Sequence, residues 1–284
     1  MNKIEIAISF ENVSFRYKKK TDLILDNISF NVKKGSSLTV IGINGSGKST
    51  IAKIISGLLL HFEGKVTIFD KILTEKNYQS IIKEVGFVFQ NPENQFIGED
   101  VENDIAFGLE NTNVSPNEMV FKIKNIVQKL GLQSIFNMEP VNLSGGDKQK
   151  VAIASVLVTE PKIIIFDEPT SMLDHKAQLE ILKIIDLLKK DPSITVIEIT
   201  HDIERILFAD QVLVMKEGKT TFFGDLKNLL LKRHLILDSS GLELPFIYKL
   251  SQNLKKNKII DQIFLDEKEL LNHLWNKKKS KLKI

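Results

Sequence analysis

One glycine-rich stretch constrains the fold of this chain more than any other. Residues 42–50 read Gly-Ile-Asn-Gly-Ser-Gly-Lys-Ser-Thr, which fits the pattern G-x-x-x-x-G-K-[ST]. The apolar run at 37–41 predicts a buried strand before it, and residues 51–59 predict a helix after it. A strand, a glycine turn and a helix start direct several backbone N–H groups, and the positive end of a helix dipole, at one point. The stretch therefore predicts a phosphate-binding loop, in which Lys48 reaches the β- and γ-phosphates and Ser49 binds Mg²⁺.

The overall composition limits what the chain can do. Its 284 residues are 43% hydrophobic, which suits one large α/β domain with a smaller appendage. A net charge of +3 indicates no strong preference for polyanions, and the absence of cysteine excludes disulfides, zinc–thiolate sites and a thiol nucleophile. No apolar run approaches the roughly 18 residues of a membrane span, and the first residues do not resemble a signal peptide. We therefore expect any membrane role to come through partner proteins.

Three further apolar runs end in side chains suited to metal binding or proton transfer. These runs, each with the residues that follow it, are 84–89 with Gln90, 162–166 with Asp167 and Glu168, and 193–199 with His201. Ligands of open α/β sheets bind at the carboxyl ends of strands, so we expect these side chains beside Lys48. The Gln amide and the first carboxylate can hold Mg²⁺ or its water, and the second carboxylate can act as a base. Taken alone, the same residues would also suit a surface glutamine, an acidic turn and a structural histidine.

A second possible anion site lies in the middle of the chain. Residues Ser144, Gly145 and Gly146 immediately precede a long helical stretch, whose N-terminus can bind an anion. Before them the strand–helix alternation is interrupted by a helix-rich insertion, with an N-cap predicted at Ser115 and a helix stop at Gly131. We predict that this insertion forms a separate helical subdomain and that the two phosphate-type sites share one nucleotide.

The two ends of the chain carry weaker signals. Tyr17 ends a predicted strand just before a basic loop, and its ring could stack on a flat base or simply pack within the strand. After about residue 224 the pattern changes, and residues 225–284 predict a small helical extension. The basic end at 276–284 predicts a solvated tail, with a weak contact to an anionic membrane surface as the alternative.

Taken in order, these motifs resemble the ATP-binding-cassette ATPase family over roughly residues 5–224. The resemblance implies an α/β fold: a P-loop NTPase cassette with a RecA-like core, an antiparallel β subdomain and a helical signature subdomain at about 95–160. Residues 1–224 are then the nucleotide-binding domain, and 225–284 form a small α-rich C-terminal extension with dimerisation as a candidate role. The matching motifs are the Walker A loop at 42–50, the Q-loop at Gln90, the signature at 143–149, the Walker B end at Asp167 and Glu168, the D-loop at 171–174, the switch histidine His201 and the A-loop Tyr17.

The resemblance also implies which residues bind ATP and Mg²⁺. The expected ATP-binding residues are Tyr17, Gly42, Ile43, Asn44, Gly45, Ser46, Gly47, Lys48, Ser49, Thr50, Gln90, Ser144, Gly145, Gly146 and Asp174. The expected metal ligands are Ser49, Gln90 and Asp167, and the expected catalytic residues are Lys48, Glu168 and His201. Two positions depart from the family pattern: Asp147 stands where Gln is commoner, and Lys150 stands where Arg is usual. The effect of these two residues on the rate of ATP turnover at the signature motif is not specified by the sequence.

A finer resemblance is carried by four short segments. Residues 90–98, 102–111, 170–174 and 240–246 resemble the ATPase subunits of energy-coupling factor transporters, in the form of the first of two paired ATPases. That family implies ATP-driven import of vitamins or other micronutrients at the cytoplasmic face of the cell membrane. The implied partners are a second homologous ATPase in a head-to-tail heterodimer, a transmembrane coupling subunit and a substrate-binding membrane subunit, with no nucleic acid. The groove for docking on the membrane subunit is expected at Gln95, Phe96 and the following helices.

Several alternatives stay open on the sequence. Within transporters they are a cobalt or nickel importer and a conventional importer. A soluble cassette acting on nucleic acid or ribosomes usually carries two cassettes or a long coiled-coil insertion, and neither is seen here. A non-hydrolysing regulatory cassette is disfavoured by Glu168 and His201. The transported substrate, and whether the ATPase partner is a paralogue or a second copy, are not specified by the sequence.

Overall fold

The computed structural model describes residues 5–17, 22–110 and 114–281, with no side chains described at 279–281. The last residue of the segment 102–111 and the end of the basic tail therefore lie outside the described chain. The strands are β1 (Ile6–Phe15), β2 (Leu25–Lys33), β3 (Ser37–Gly42), β4 (Glu63–Ile68), β5 (Lys71–Ile72), β6 (Val85–Val88), β7 (Ile163–Asp167), β8 (Thr195–Thr200), β9 (Gln211–Lys216) and β10 (Lys219–Gly224). The α-helices are α1 (Lys48–Ile55), α2 (Tyr78–Ile82), α3 (Val101–Glu110), α4 (Pro116–Leu130), α5 (Gly145–Leu157), α6 (His175–Leu188), α7 (Leu226–Lys232), α8 (Leu235–Ser239), α9 (Phe246–Lys256) and α10 (Glu267–Lys281).

The larger sheet has the order β10-β9-β3-β8-β7-β6. Its strands pair in parallel from β9 to β6, and only β10 runs antiparallel to its neighbour. Every residue of β3, β7 and β8 is buried, as expected for parallel strands covered on both faces. Because these strands are parallel, their carboxyl ends lie along one edge, which is where the predicted site residues follow them.

The smaller sheet is antiparallel, with the order β2-β1-β4-β5. Residues of β2 alternate between buried and accessible, so one face of this sheet packs on the core. Its Phe10 and Phe30 rings stack with their centroids 4.6 Å apart. The same hydrophobic cluster includes Ile51 and Ile54 of α1, so the helix after the glycine-rich loop packs against both sheets' shared core.

Helices α3, α4 and α5 have a hydrophobic core of their own, built around Val101, Ile105 and Val151. The predicted cap at Ser115 is confirmed, since its side chain accepts a hydrogen bond from the Glu118 N–H. Gly131 ends α4 in the left-handed conformation with a φ of 70°, also as predicted. These helices therefore have packing of their own, and Ile153 of α5 packs in the cluster that includes Ile164 of β7 and Val196 of β8.

Four helices, α7 to α10, follow the last strand. Leu229, Leu237 and Tyr248 pack on β9, β10 and the 3₁₀ helix Ile203–Phe208, and Ile247 and Leu270 join a smaller cluster at the end. Helix α10 continues to Lys281, so most of the segment expected as a solvated tail is helical. Among residues 5–17, 22–110 and 114–281, no helix combines the length and the apolar content needed to cross a bilayer.

Candidate functional site

The glycine-rich loop joins β3 directly to α1, as the sequence predicts. Gly47 is the N-cap of α1 and has a φ of 101°, and Gly45 has a φ of 80°. A Cβ atom at Gly47 would lie 2.8 Å from Leu25 Cδ2 and 2.9 Å from the carbonyl oxygen of Ile24. Only glycine therefore fits at position 47, because both the backbone conformation and the close approach of β2 exclude a side chain.

Lys48 lies beneath this loop with only 5% of its side chain exposed. Its ammonium donates hydrogen bonds to the carbonyl oxygens of Gly42 at 2.8 Å and Ile43 at 3.1 Å. Its Nζ is also 4.0 Å from Glu168 Oε1. Burial lowers the pKa of Lys48, although the carboxylates of Glu168 and Asp167 partly oppose this shift. The lysine thus holds a desolvated positive charge within the loop, and an anionic ligand bound there would neutralise it.

The side chains of Ser49 and Asp167 contact each other across the edge of the sheet. The Ser49 hydroxyl donates a hydrogen bond to Asp167 Oδ1 at 2.9 Å. Burial raises the pKa of Asp167, while the hydrogen bond from Ser49 acts in the opposite direction. A hydroxyl and one carboxylate side by side are the oxygen donors with which proteins hold Mg²⁺, which otherwise keeps water and phosphate ligands. The predicted metal ligands Ser49 and Asp167 are therefore adjacent, and their chemistry fits this ion.

Glu168 lies between Lys48 and His201. Its Oε2 is 3.4 Å from His201 Nδ1, and its side chain is 15% exposed compared with 59% for His201. Glu168 has a φ of 48°, unusual for a residue with a side chain, and its N–H donates to the carbonyl oxygen of Ile199 at 2.9 Å. The three predicted catalytic side chains, those of Lys48, Glu168 and His201, are thus brought together by the ends of β3, β7 and β8.

Gln90 lines the same cleft. Its Nε2 donates to Ser171 Oγ at 3.1 Å, and the Ser171 hydroxyl in turn donates to the carbonyl oxygen of Glu168 at 3.0 Å. The cleft has a volume of about 370 Å³. Its lining residues are Ile24, Asn44, Gly45, Gly47, Lys48, Ser49, Thr50, Gln90 and Glu168.

Two residues of this neighbourhood were not singled out as site residues from the sequence. Ile24 lines the cleft because β2 begins beside the loop, and a lone isoleucine gives no signal for such a position. Ser171 links Gln90 to the backbone of Glu168; its place two residues after the Asp-Glu-Pro sequence was the available signal.

The second glycine stretch lies elsewhere on the described chain, and none of its residues lines the cleft. Ser144 is the N-cap of α5: it accepts a hydrogen bond from the Asp147 N–H at 3.2 Å, and its hydroxyl donates to Asp147 Oδ2 at 2.7 Å. A Cβ on Gly146 would lie 2.8 Å from the Cβ of Ala177 in α6. Asp174 caps that helix by accepting from the Ala177 N–H at 3.0 Å. The two predicted phosphate sites are thus separate within one chain.

Tyr17 also lies outside the lining of the cleft. Its ring packs edge-on against Phe15, with the centroids 4.9 Å apart, and 38% of the side chain is exposed. The carbonyl oxygen of Phe15 accepts a hydrogen bond from the N–H of Ile24, a cleft residue, at 2.8 Å. Tyr17 is therefore an exposed aromatic ring two residues beyond the end of β1.

The fold and the site define a P-loop ATP-binding cassette, and comparisons with known proteins specify it further. The ABC transporter family profile matches residues 25–171. Over 272 residues the chain is 43% identical to the energy-coupling factor transporter ATP-binding protein EcfA1 of Mesomycoplasma hyopneumoniae strain J, covering 95% of this chain and 98% of the relative. It is 40% identical to EcfA1 of Listeria monocytogenes serovar 1/2a, covering 95% and 97%.

Solved structures agree with this result. One of cbiO1 from Clostridium perfringens, described as part of the ABC transporter complex cbiONQ, superposes with a TM-score of 0.73 at 32% identity, covering 87% of this chain and 99% of that one. The cassette MJ0796, solved as a dimer in a post-hydrolysis state with ADP and Pi, gives a TM-score of 0.69 at 29% identity, covering 77% and 98%.

The chain therefore belongs to the ABC transporter family and, within it, to the EcfA1 group of energy-coupling factor ATP-binding proteins. It is an ATP-binding, ATP-hydrolysing subunit of an energy-coupling factor transporter, as the resemblance of its motifs implied.

Proposed function

We propose that the cleft at the ends of β3, β7 and β8 hydrolyses ATP with the residue roles expected from the sequence. Lys48 contacts the β- and γ-phosphates, Glu168 orients or deprotonates the attacking water, and His201 contacts the γ-phosphate. The observation that carries this proposal is the position of the Glu168 carboxylate, 4.0 Å from Lys48 Nζ and 3.4 Å from His201 Nδ1. Phosphoryl transfer needs positioned polar and charged groups more than covalent chemistry, and these three side chains supply them.

We propose that Ser49, Asp167 and Gln90 hold Mg²⁺ with the nucleotide. When bound, the ion neutralises charge that develops on the phosphates. Ser49 and Asp167 already share a hydrogen bond, and Gln90 lines the same cleft. Burial makes the ionised form of Asp167 costly and so raises the pKa of its carboxyl. A cation beside the carboxylate would offset that cost.

We propose that a complete nucleotide site needs a second ATPase subunit. Ser144, Gly145 and Gly146 lie outside the cleft in this chain, yet they begin a helix whose N-terminus suits a phosphate. A head-to-tail arrangement with a homologous ATPase would bring this segment to the partner's phosphate loop, with Asp174 nearby at the start of α6. Tyr17 would then stack on the adenine of the nucleotide held by its own chain.

We propose that the pair works on a transmembrane coupling subunit and a substrate-binding membrane subunit, at the cytoplasmic face of the cell membrane. Residues 1–224 are the nucleotide-binding domain, with 95–160 as its helical subdomain, and 225–284 form an extension that can contribute to dimerisation. Docking would use the region of Gln95 and Phe96, which packs on α5: the Gln95 Nε2 donates to the carbonyl oxygen of Ala152 at 2.8 Å. The complex would then import a vitamin or other micronutrient, and we expect no nucleic-acid partner.

The substitution Glu168→Gln tests the proposal. In the complex purified with its companion subunits, we expect ATP turnover to fall by about 10²- to 10⁴-fold, the usual contribution of a general base. ATP binding should be kept, because glutamine preserves the size of the side chain and removes only its charge. The exposed Lys190→Gln variant serves as the control. Unchanged turnover in Glu168→Gln would refute the assignment.

A further inference from the structure

Strand β8 contains one acidic residue among buried apolar neighbours. Glu198 is only 1% exposed, and the whole strand is buried. Its Oε1 accepts a hydrogen bond from Arg205 Nε at 2.7 Å, and its Oε2 accepts one from Arg205 Nη2 at 3.2 Å. Lys189, which follows α6, pairs with the same carboxylate. Burying a carboxylate costs free energy even when it is paired, so the position of Glu198 needs a physical reason.

Arg205 joins three parts of the fold. It lies in the 3₁₀ helix Ile203–Phe208, is 4% exposed, and donates from Nη2 to Asp186 Oδ1 of α6 at 2.6 Å as well as to Glu198 of β8. Burial acts to lower the pKa of Arg205, but Glu198 and Asp186 outweigh it and raise that pKa above its usual range. The pKa of Glu198, which burial alone would raise, is lowered by Lys189 and Arg205. Arg205 and Glu198 thus favour each other's charged form, at the centre of a cluster of two basic and two acidic side chains. Burial lowers the pKa of Lys189, although Glu198 opposes that shift.

The segment between Glu198 and Arg205 carries His201. Within it, the Asp202 N–H donates to Thr200 Oγ1 at 3.0 Å, and Asp202 Oδ1 accepts from the Glu204 N–H at 3.0 Å. These short-range bonds shape the turn. Beyond it, Ile206 is fully buried and Glu204 Oε1 accepts a hydrogen bond from the Phe246 N–H at 2.7 Å, which attaches this segment to β9 and the C-terminal helices. The fork of Arg205 adds a polar attachment, because it ties the residues after His201 both to the strand before it and to α6.

We propose that Arg205 is a positioning residue for His201 in ATP hydrolysis, an inference that rests on the role of His201 proposed above. Buried ion pairs add little net stability compared with apolar residues of the same volume, so stability alone does not account for the quartet. A planar guanidinium with two fixed partners instead restricts orientation. The His201 side chain is 59% exposed, so packing around it does little to hold it, and the anchored backbone sets its distance to Glu168.

The test is Arg205→Lys, which keeps the charge but loses the fork, in the complex with its companion subunits. Displacement of a reacting group by about 1 Å can cost roughly 10²-fold in rate, and we expect kcat to fall at least about fivefold. KM for ATP should stay within about twofold, because Lys48 and the phosphate loop are untouched. Lys190→Gln, on the exposed surface beside Lys189, is the matched control. Asp186→Asn, which removes the negative charge of the α6 partner and one of its two acceptor oxygens, repeats the test should Arg205→Lys fold poorly.

A residue that merely stabilises the fold would lower the melting temperature and leave kcat per folded molecule unchanged. A second readout is the NMR signal of the His201 ring in protein with isotope-labelled histidine, assigned by its loss in His201→Ala. We expect this signal to shift in Arg205→Lys and Asp186→Asn but not in Lys190→Gln. An unchanged kcat in both variants, while His201→Ala is impaired, overturns this inference and leaves the proposed function intact. Full turnover in His201→Ala overturns both.

Discussion

The two glycines of the phosphate loop allow a matched test of what this loop requires. Both Gly45 and Gly47 have a positive φ, of 80° and 101°. They differ in space: nothing lies within 4 Å of a Cβ built on Gly45, whereas one on Gly47 meets Leu25 Cδ2 at 2.8 Å and the carbonyl oxygen of Ile24 at 2.9 Å. Alanine at position 45 therefore adds backbone strain alone, while alanine at position 47 adds strain and a collision with β2.

The magnitudes follow from these two terms. The left-handed conformation costs a residue with a Cβ about 1–2 kcal/mol. Overpacking a close contact typically adds about 1–3 kcal/mol, and one of the atoms here belongs to the backbone, which cannot rotate away. We expect Gly45→Ala to lower the free energy of unfolding by about 1–2 kcal/mol and Gly47→Ala to lower it by about 2–5 kcal/mol.

The assay is urea unfolding of the three proteins, wild type included, with and without Mg²⁺ and ATP. Gly131→Ala is the control, because Gly131 has a φ of 70° with nothing within 4 Å and lies at the end of α4, outside the cleft. It should cost about as much as Gly45→Ala yet keep the full stabilisation by nucleotide, which both loop variants should reduce. Equal losses for Gly45→Ala and Gly47→Ala would refute the argument from the contact with β2.

Two further substitutions test the charges of the site. Burial raises the pKa of Asp167, so the folded protein retains a proton that the unfolded chain has lost, and stability without nucleotide falls as the pH rises above the usual Asp value of about 3.9. The melting temperature of Asp167→Asn should therefore exceed that of wild type by an amount that grows as the pH rises from the unfolded to the folded pKa of Asp167 and is constant above it; a difference that is independent of pH throughout would contradict this. Asp147→Gln removes the carboxylate that holds the Ser144 hydroxyl and the negative charge beside it. A charge at a helix N-terminus changes the interaction energy by about 0.3–1 kcal/mol, so we expect ATP turnover to become about two- to fivefold faster. Slower turnover would contradict this expectation.

The site could be predicted from the sequence because its residues follow strands. Parallel strands end at one edge, so Lys48, Asp167, Glu168 and His201 had to lie close together once the strands were recognised. What the sequence did not indicate is the set of partners that each side chain takes. The bond between Ser49 and Asp167 joins residues 118 positions apart, and such pairs depend on the register of the sheet, which local patterns do not specify.

Two features that were not predicted could have been recognised from the sequence. Glu198, flanked by Ile197 and Ile199 in a strand that was predicted correctly, is a charged residue in an apolar run, and such residues are rarely buried without a partner. The basic segment after Asn276 was expected to be a solvated tail, yet α10 continues through it to Lys281. Lysine is a good helix former, and nothing in Asn-Lys-Lys-Lys-Ser-Lys interrupts a helix already started at Glu267.

The central claim is that this chain supplies half of a composite nucleotide site, with Ser144 serving the phosphate loop of its partner. The chain has no cysteine, so Ser144→Cys introduces a single thiol on this subunit, and Lys190→Cys provides an exposed control. The most direct measurement is the rate at which a maleimide labels each thiol, with and without Mg²⁺ and ATP, in the isolated chain and in the complex with its companion ATPase. The account predicts that nucleotide protects position 144 only when the companion is present and never protects position 190; equal labelling of position 144 under all four conditions would contradict it.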